Sequence, residues 1–148
     1  MDYEFPECNS FGTVIRFGLE LEKAAMNIYD ELSRDSKLAS GAETFKALSA
    51  IHKKRGDLLE YTRREKLNEM ILEPIQDLDG KKYIIDTRVP KAVDIKAAAR
   101  YAAGIEEKSS MFYLDSSKIA KNLLSEGARI LERMAKENLA NKAKVEAL

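Results

Sequence analysis

The chain carries a single cysteine, Cys8, so no intrachain disulfide and no cysteine-only metal module can form. Cys8 falls in a short N-terminal stretch, where a partly exposed thiol is expected. Prolines number three, at Pro6, Pro74 and Pro90, and all lie outside the helical stretches. Charge of either sign in excess is also missing. Lys+Arg and Asp+Glu are 25 each, which leaves a formal net charge of zero. That excludes the basic footprint of a nucleic-acid binder and an acidic solvating tail. No apolar run approaches the roughly 20 residues of a membrane span. Residues 1–6 are acidic and lack the basic-then-apolar order of a secretory signal. The expectation is a cytoplasmic protein with neither nucleic acid nor membrane as partner.

What remains is helix. Hydrophobic residues are 45% and charged residues 34%, the balance of a soluble, helix-rich chain, and 148 residues suit one domain with a single core. Residues 1–9 read as an arm, with Asn9 or Ser10 able to cap a helix that begins just after it. That first helix is expected over about 11–35, where Ile15, Gly18, Glu22, Ala25, Tyr29 and Leu32 recur at spacings of three and four. Ser40-Gly41-Ala42-Glu43 has the form of a capping box and predicts a second helix over about 41–69. Its stripe reads Phe45, Leu48, His52, Arg55, Leu59, Thr62, and Gly56 beside it is a weak point.

Residues 70–93 break the pattern. Asp79-Gly80 is a turn signal, and Tyr83-Ile84-Ile85 fits a short strand. So long a connection suits a crossover from one end of a bundle to the other. A third helix is expected over about 94–124, with the stripe Ala99, Ala102, Glu106, Ser109, Tyr113, Ser116. Ser125-Glu126-Gly127 reads as a turn, and a last helix is expected over about 128–147. Its stripe is Leu131, Met134, Asn138, Asn141, Val145, Leu148. The fold class is therefore all-α: a single domain over 1–148, two helical hairpins joined by a long crossover.

The halves repeat. Leu21-Glu22 with Tyr29 returns as Ile105-Glu106 with Tyr113, 84 residues on, and His52 matches Asn138 at 86. Polar residues thus fall at one depth in all four stripes. A bare carboxylate on a core stripe is costly unless it is paired or ligating.

This pattern resembles the rubrerythrin-like branch of the ferritin-like superfamily, in which two helices each give one glutamate and the other two each give Glu-x-x-His to a di-iron site. The best segments are residues 18–24 with Tyr29, and residues 45–49 before His52. The resemblance implies a ferritin-like four-helix bundle, a homodimer, and Glu22 and Glu106 in two ligand positions. The other ligand positions depart from it, with His52-Lys53-Lys54-Arg55 and Asn138-Leu139-Ala140-Asn141 where Glu-x-x-His would stand. A di-iron centre is therefore not expected. Two readings of the site stay open. In one, Glu22, His52 and Glu106 hold a single iron, zinc or manganese ion and serve a metal-dependent oxidoreductase acting on peroxide or oxygen. In the other no cofactor is held. Arg55 replaces the lost metal by pairing with the glutamates, and Asn138, Asn141, Tyr29, Tyr113 and His52 complete a polar core of a non-catalytic, structural or partner-binding protein. A third use of Arg55, receiving a small anion, is disfavoured by the two glutamates beside it.

Overall fold

The computed structural model describes residues 3–65, 72–91, 94–121 and 125–148. It contains four helices, α1 (Phe11–Arg34), α2 (Ala42–Glu65), α3 (Ile95–Ala120) and α4 (Ser125–Glu146), with short 3-10 helices over Ser36–Gly41 and Gly80–Tyr83. No strand occurs among the described residues. No described helix is long and apolar enough to cross a membrane.

Ser10 starts α1 as expected. Its hydroxyl accepts from the Thr13 amide at 3.2 Å, while Thr13 Oγ1 accepts from the Ser10 amide at 3.0 Å. The residues of the α1 stripe are buried as the spacing predicts. The entry to α2 differs from expectation. In place of a cap at Ser40, the 3-10 helix runs straight into α2, started by the Asp35 carboxylate, which accepts from the Lys37 amide at 2.9 Å. Packing explains the difference. Leu38 is fully buried, and a Cβ on Gly41 would stand 2.6 Å from Ile95 Cδ1, so this turn is wedged against α3. The expected end of the second helix, beyond residue 65, lies outside the described residues.

Tyr83-Ile84-Ile85 is not a strand. Tyr83 and Ile85 turn inward and Ile84 outward, the alternation that the sequence shows, but among the described residues no second strand runs alongside to accept the ladder. Tyr83 is held instead by its hydroxyl, which donates to Asp115 at 2.7 Å. The expected turn at Ser125-Glu126-Gly127 is also overturned, since these residues are the first turn of α4. Gly127 serves closeness there: a Cβ would lie 2.6 Å from Phe11 Cζ.

The N-terminal arm is tied down. Asn27 donates to the Tyr3 hydroxyl at 2.9 Å, and Phe5 packs on Phe17 with ring centroids 4.9 Å apart. Residues 73–75 bond the chain on either side of Ser10, Phe11 N donating to Glu73 O at 2.8 Å and Ile75 N to Asn9 O at 3.1 Å. Cys8 is consequently buried and not partly exposed as expected. Burial, then the charges of Asp79 and Glu7, push its thiol up to about 11.

Helix α1 packs along α2, and α3 along α4. Serines and alanines on α3 let α4 come close, with Ser110 Oγ donating to Ala135 O at 2.9 Å and Ser117 Oγ to Ala128 O at 2.8 Å. Between the pairs lies an apolar core in which Phe17 and Phe112 stack 4.5 Å apart. Each such fully buried ring contributes roughly 1.5–3 kcal/mol. One polar layer interrupts it.

Candidate functional site

All four helices feed that layer. Glu22 and Tyr29 come from α1, His52 and Arg55 from α2, Glu106 and Tyr113 from α3, and Asn138 and Asn141 from α4. All eight are buried. The three-four spacing aims each inward, and the close match of offsets in the two halves sets them at one depth.

His52 is the bridge. Its Nδ1 lies 2.7 Å from Glu22 Oε1 and its Nε2 2.7 Å from Glu106 Oε2. Ionised carboxylates only accept, so both ring nitrogens must donate and the ring is an imidazolium. Arg55 forks onto Glu22, with Nε to Oε1 at 2.9 Å and Nη2 to Oε2 at 3.0 Å. Its Nη2 also reaches Asn138 Oδ1 at 2.9 Å, and its Nη1 reaches the Met134 carbonyl at 3.3 Å. Tyr113 donates to Glu22 Oε2 at 2.6 Å, and Tyr29 to Glu106 Oε2 at 2.7 Å. Asn138 Nδ2 donates to Glu106 Oε1 at 2.8 Å, with Asn141 Nδ2 behind it at 3.5 Å. Tyr29 stacks on the His52 ring with centroids 5.5 Å apart, and Arg55 lies over the Tyr113 ring.

The charges cancel, two carboxylates against one guanidinium and one imidazolium. Burial alone would push Glu22 up, but Arg55 and then His52 outweigh it and hold the carboxyl down at about 2. Glu106 is lowered in the same way: burial opposes, and His52, Tyr29 and Asn138 prevail. Burial would lower His52, and the two glutamates raise it to about 9. Tyr29 and Tyr113 are pushed well above the usual phenol range by burial and then by the neighbouring glutamate, so they stay neutral donors.

No protein-family model, no curated protein and no solved structure matches the chain. Each oxygen of Glu22 and Glu106 already receives two donors. Both His52 nitrogens are engaged, whereas a metal-bound imidazole needs a bare lone pair. Arginine cannot ligate. Among the described residues no group of three or more His, Cys, Asp and Glu side chains is placed to hold a metal ion. In this arrangement the donor set does not fit one.

The structure brings the residues singled out in the sequence into one cluster: the three candidate ligands Glu22, His52 and Glu106, and the polar partners Arg55, Asn138, Asn141, Tyr29 and Tyr113. Among the contributors missed in the sequence are two backbone carbonyls. The Met134 carbonyl carries no side-chain signal. Gly18 did carry one, as a glycine on an inward stripe. Its carbonyl lies 3.2 Å from the Tyr113 hydroxyl, and a Cβ there would stand 3.0 Å from the same oxygen. All three guanidinium nitrogens of Arg55 are engaged, and a third carboxylate, Glu137, lies 3.6 Å from its Nη1.

Proposed function

We propose that this chain is a ferritin-like bundle of the rubrerythrin type in which a charge-neutral network stands where the di-iron centre would be, and that it acts as a non-catalytic assembly or partner-binding protein. One observation carries the reading. Arg55 forks onto Glu22 as a fixed cation, and Asn138 joins that cation to Glu106, which suits a cation standing in for a lost metal ion. The connectivity supports it as well. Gly41 abuts Ile95 and Leu148 at one end of the bundle, and Gly127 abuts Phe11 at the other. The starts of α2 and α3 thus lie at one end of the bundle, which suits a long crossover between the two hairpins. Large apolar side chains left outside, Leu58 and Tyr61 on α2, Met111 and Leu114 on α3, and Leu139 on α4, suit a homodimer or another protein partner.

The test is metal content by mass spectrometry after expression with iron, zinc and manganese. The native protein is expected to hold no stoichiometric metal. A variant carrying His52→Glu, Arg55→His, Asn138→Glu and Asn141→His rebuilds the two Glu-x-x-His pairs and is expected to take up a pair of ions. If that variant folds and binds none, the ferritin-like reading fails. Near-stoichiometric metal in the native protein, lost in Glu106→Ala, would replace the proposal with a metal-dependent oxidoreductase using Glu22, His52 and Glu106.

A further inference from the structure

Glu22 and His52 are buried, yet both are among the residues that line a groove of about 320 Å³ between α1 and α2. Leu19 and Met26 of α1 make one wall, and Lys53 and Gly56 of α2 the other. Gly56 opens it. Glycine in mid-helix costs roughly 1 kcal/mol against alanine. Packing does not demand it, because a Cβ at Gly56 would meet only Glu22 Cβ, at an ordinary 3.5 Å.

The other half of the bundle carries a long side chain at the same register. The offset of 86 that relates His52 to Asn138 relates Gly56 to Lys142. Lys142 is 26% exposed and stretches to Glu107 at 3.7 Å, across the α3–α4 face beside Glu106. Between α2 and α4 the gap is filled by Arg55, whose Nη1 lies 3.6 Å from Glu137. Four further grooves on the surface are lined by no residue of the network.

We infer that the groove at Gly56 is a port through which water exchanges protons with the Glu22–His52 end of the network while the bundle stays folded. The inference rests on the groove and the glycine, and holds whether or not the bundle is ferritin-like. In the exchange the Nδ1–H bond of His52 breaks and its proton passes by way of the Glu22 carboxylate to water. A solvent proton returns by the same path, so the charge of the network is unchanged. Nε2–H faces Glu106, away from the port, and exchanges only when the bundle opens.

His52 is the chain's single histidine, so nuclear magnetic resonance on protein with ¹⁵N-labelled histidine reads both ring protons without ambiguity. At neutral pH, Nδ1–H is expected to exchange with water at least roughly tenfold faster than Nε2–H. Gly56→Leu and, from the opposite wall, Met26→Trp should each slow Nδ1–H by about that factor and leave Nε2–H as it was. Gly104→Leu, on α3 where no atom lies within 4 Å of an added Cβ, should change neither. Lys142→Gly should speed Nε2–H. Equal rates for the two protons in the native protein would overturn the port. So would an unchanged Nδ1–H rate in folded Met26→Trp, a variant that leaves α2 intact if Gly56→Leu does not fold.

Discussion

At the scale of residues, the network is held by its completeness. Every carboxylate oxygen has two donors, so removing any one charge strands its partner in the core. Glu22→Gln leaves Arg55 buried without its anion, and breaking a buried pair in this way costs about 3–5 kcal/mol. Thermal unfolding should show a melting temperature lower by roughly 10 °C. Arg55→Met should also destabilise. The double variant removes both charges and should lose less than the sum of the single losses. Strict additivity would deny the pairing. The pH dependence has two limbs. His52 is raised from 6.5 to about 9, so its contribution is complete below pH 6.5 and is lost as pH rises through 9. Glu22 is lowered from 4.5 to about 2, so its contribution is complete above pH 4.5 and is lost as pH falls through 2. Each is worth on the order of 3 kcal/mol. Melting temperature should therefore be greatest between about pH 4.5 and 6.5 and decline towards pH 9, and His52→Gln should flatten the alkaline limb.

At the scale of elements, periodicity was the legible signal and closeness the hidden one. The three-four stripes identified the inward face of each helix, because burying that face is what holds an amphipathic helix in place. They also put the eight polar residues of the network on those faces. Terminal and connecting features were less legible, and each miss has a physical cause. Ser40 did not cap α2 because the buried Leu38 and the wedge of Gly41 against Ile95 favoured an earlier start. Gly127 read as a turn residue, whereas its role is to admit the Phe11 ring. Tyr83 and Ile85 carried strand alternation with no strand among the described residues to pair with. The glycines give a contrasting test. Gly127→Ala puts a Cβ 2.6 Å from Phe11 Cζ and should cost about 1–3 kcal/mol. Gly104→Ala meets nothing within 4 Å and should gain up to about 1 kcal/mol through helix propensity. Thermal unfolding of the two should shift in opposite directions, and a shift of both in one direction would contradict the packing described.

At the scale of the molecule, the bundle encloses a polar layer with no net charge, and five large apolar side chains, Leu58, Tyr61, Met111, Leu114 and Leu139, stand exposed on α2, α3 and α4. Light scattering on the native protein should report a homodimer, and Met111→Glu with Leu139→Glu should yield a monomer that keeps the native melting curve. A native monomer would remove the homodimer from the proposed function. The state of the His52 ring is the quantity on which the network and a metal site differ most sharply. Its two ¹⁵N shifts should therefore be measured first, across pH. The network requires an imidazolium at pH 7, with both nitrogens protonated and hydrogen-bonded, titrating near pH 9. A neutral ring at pH 7, with one nitrogen bare and open to a metal ion, would contradict it.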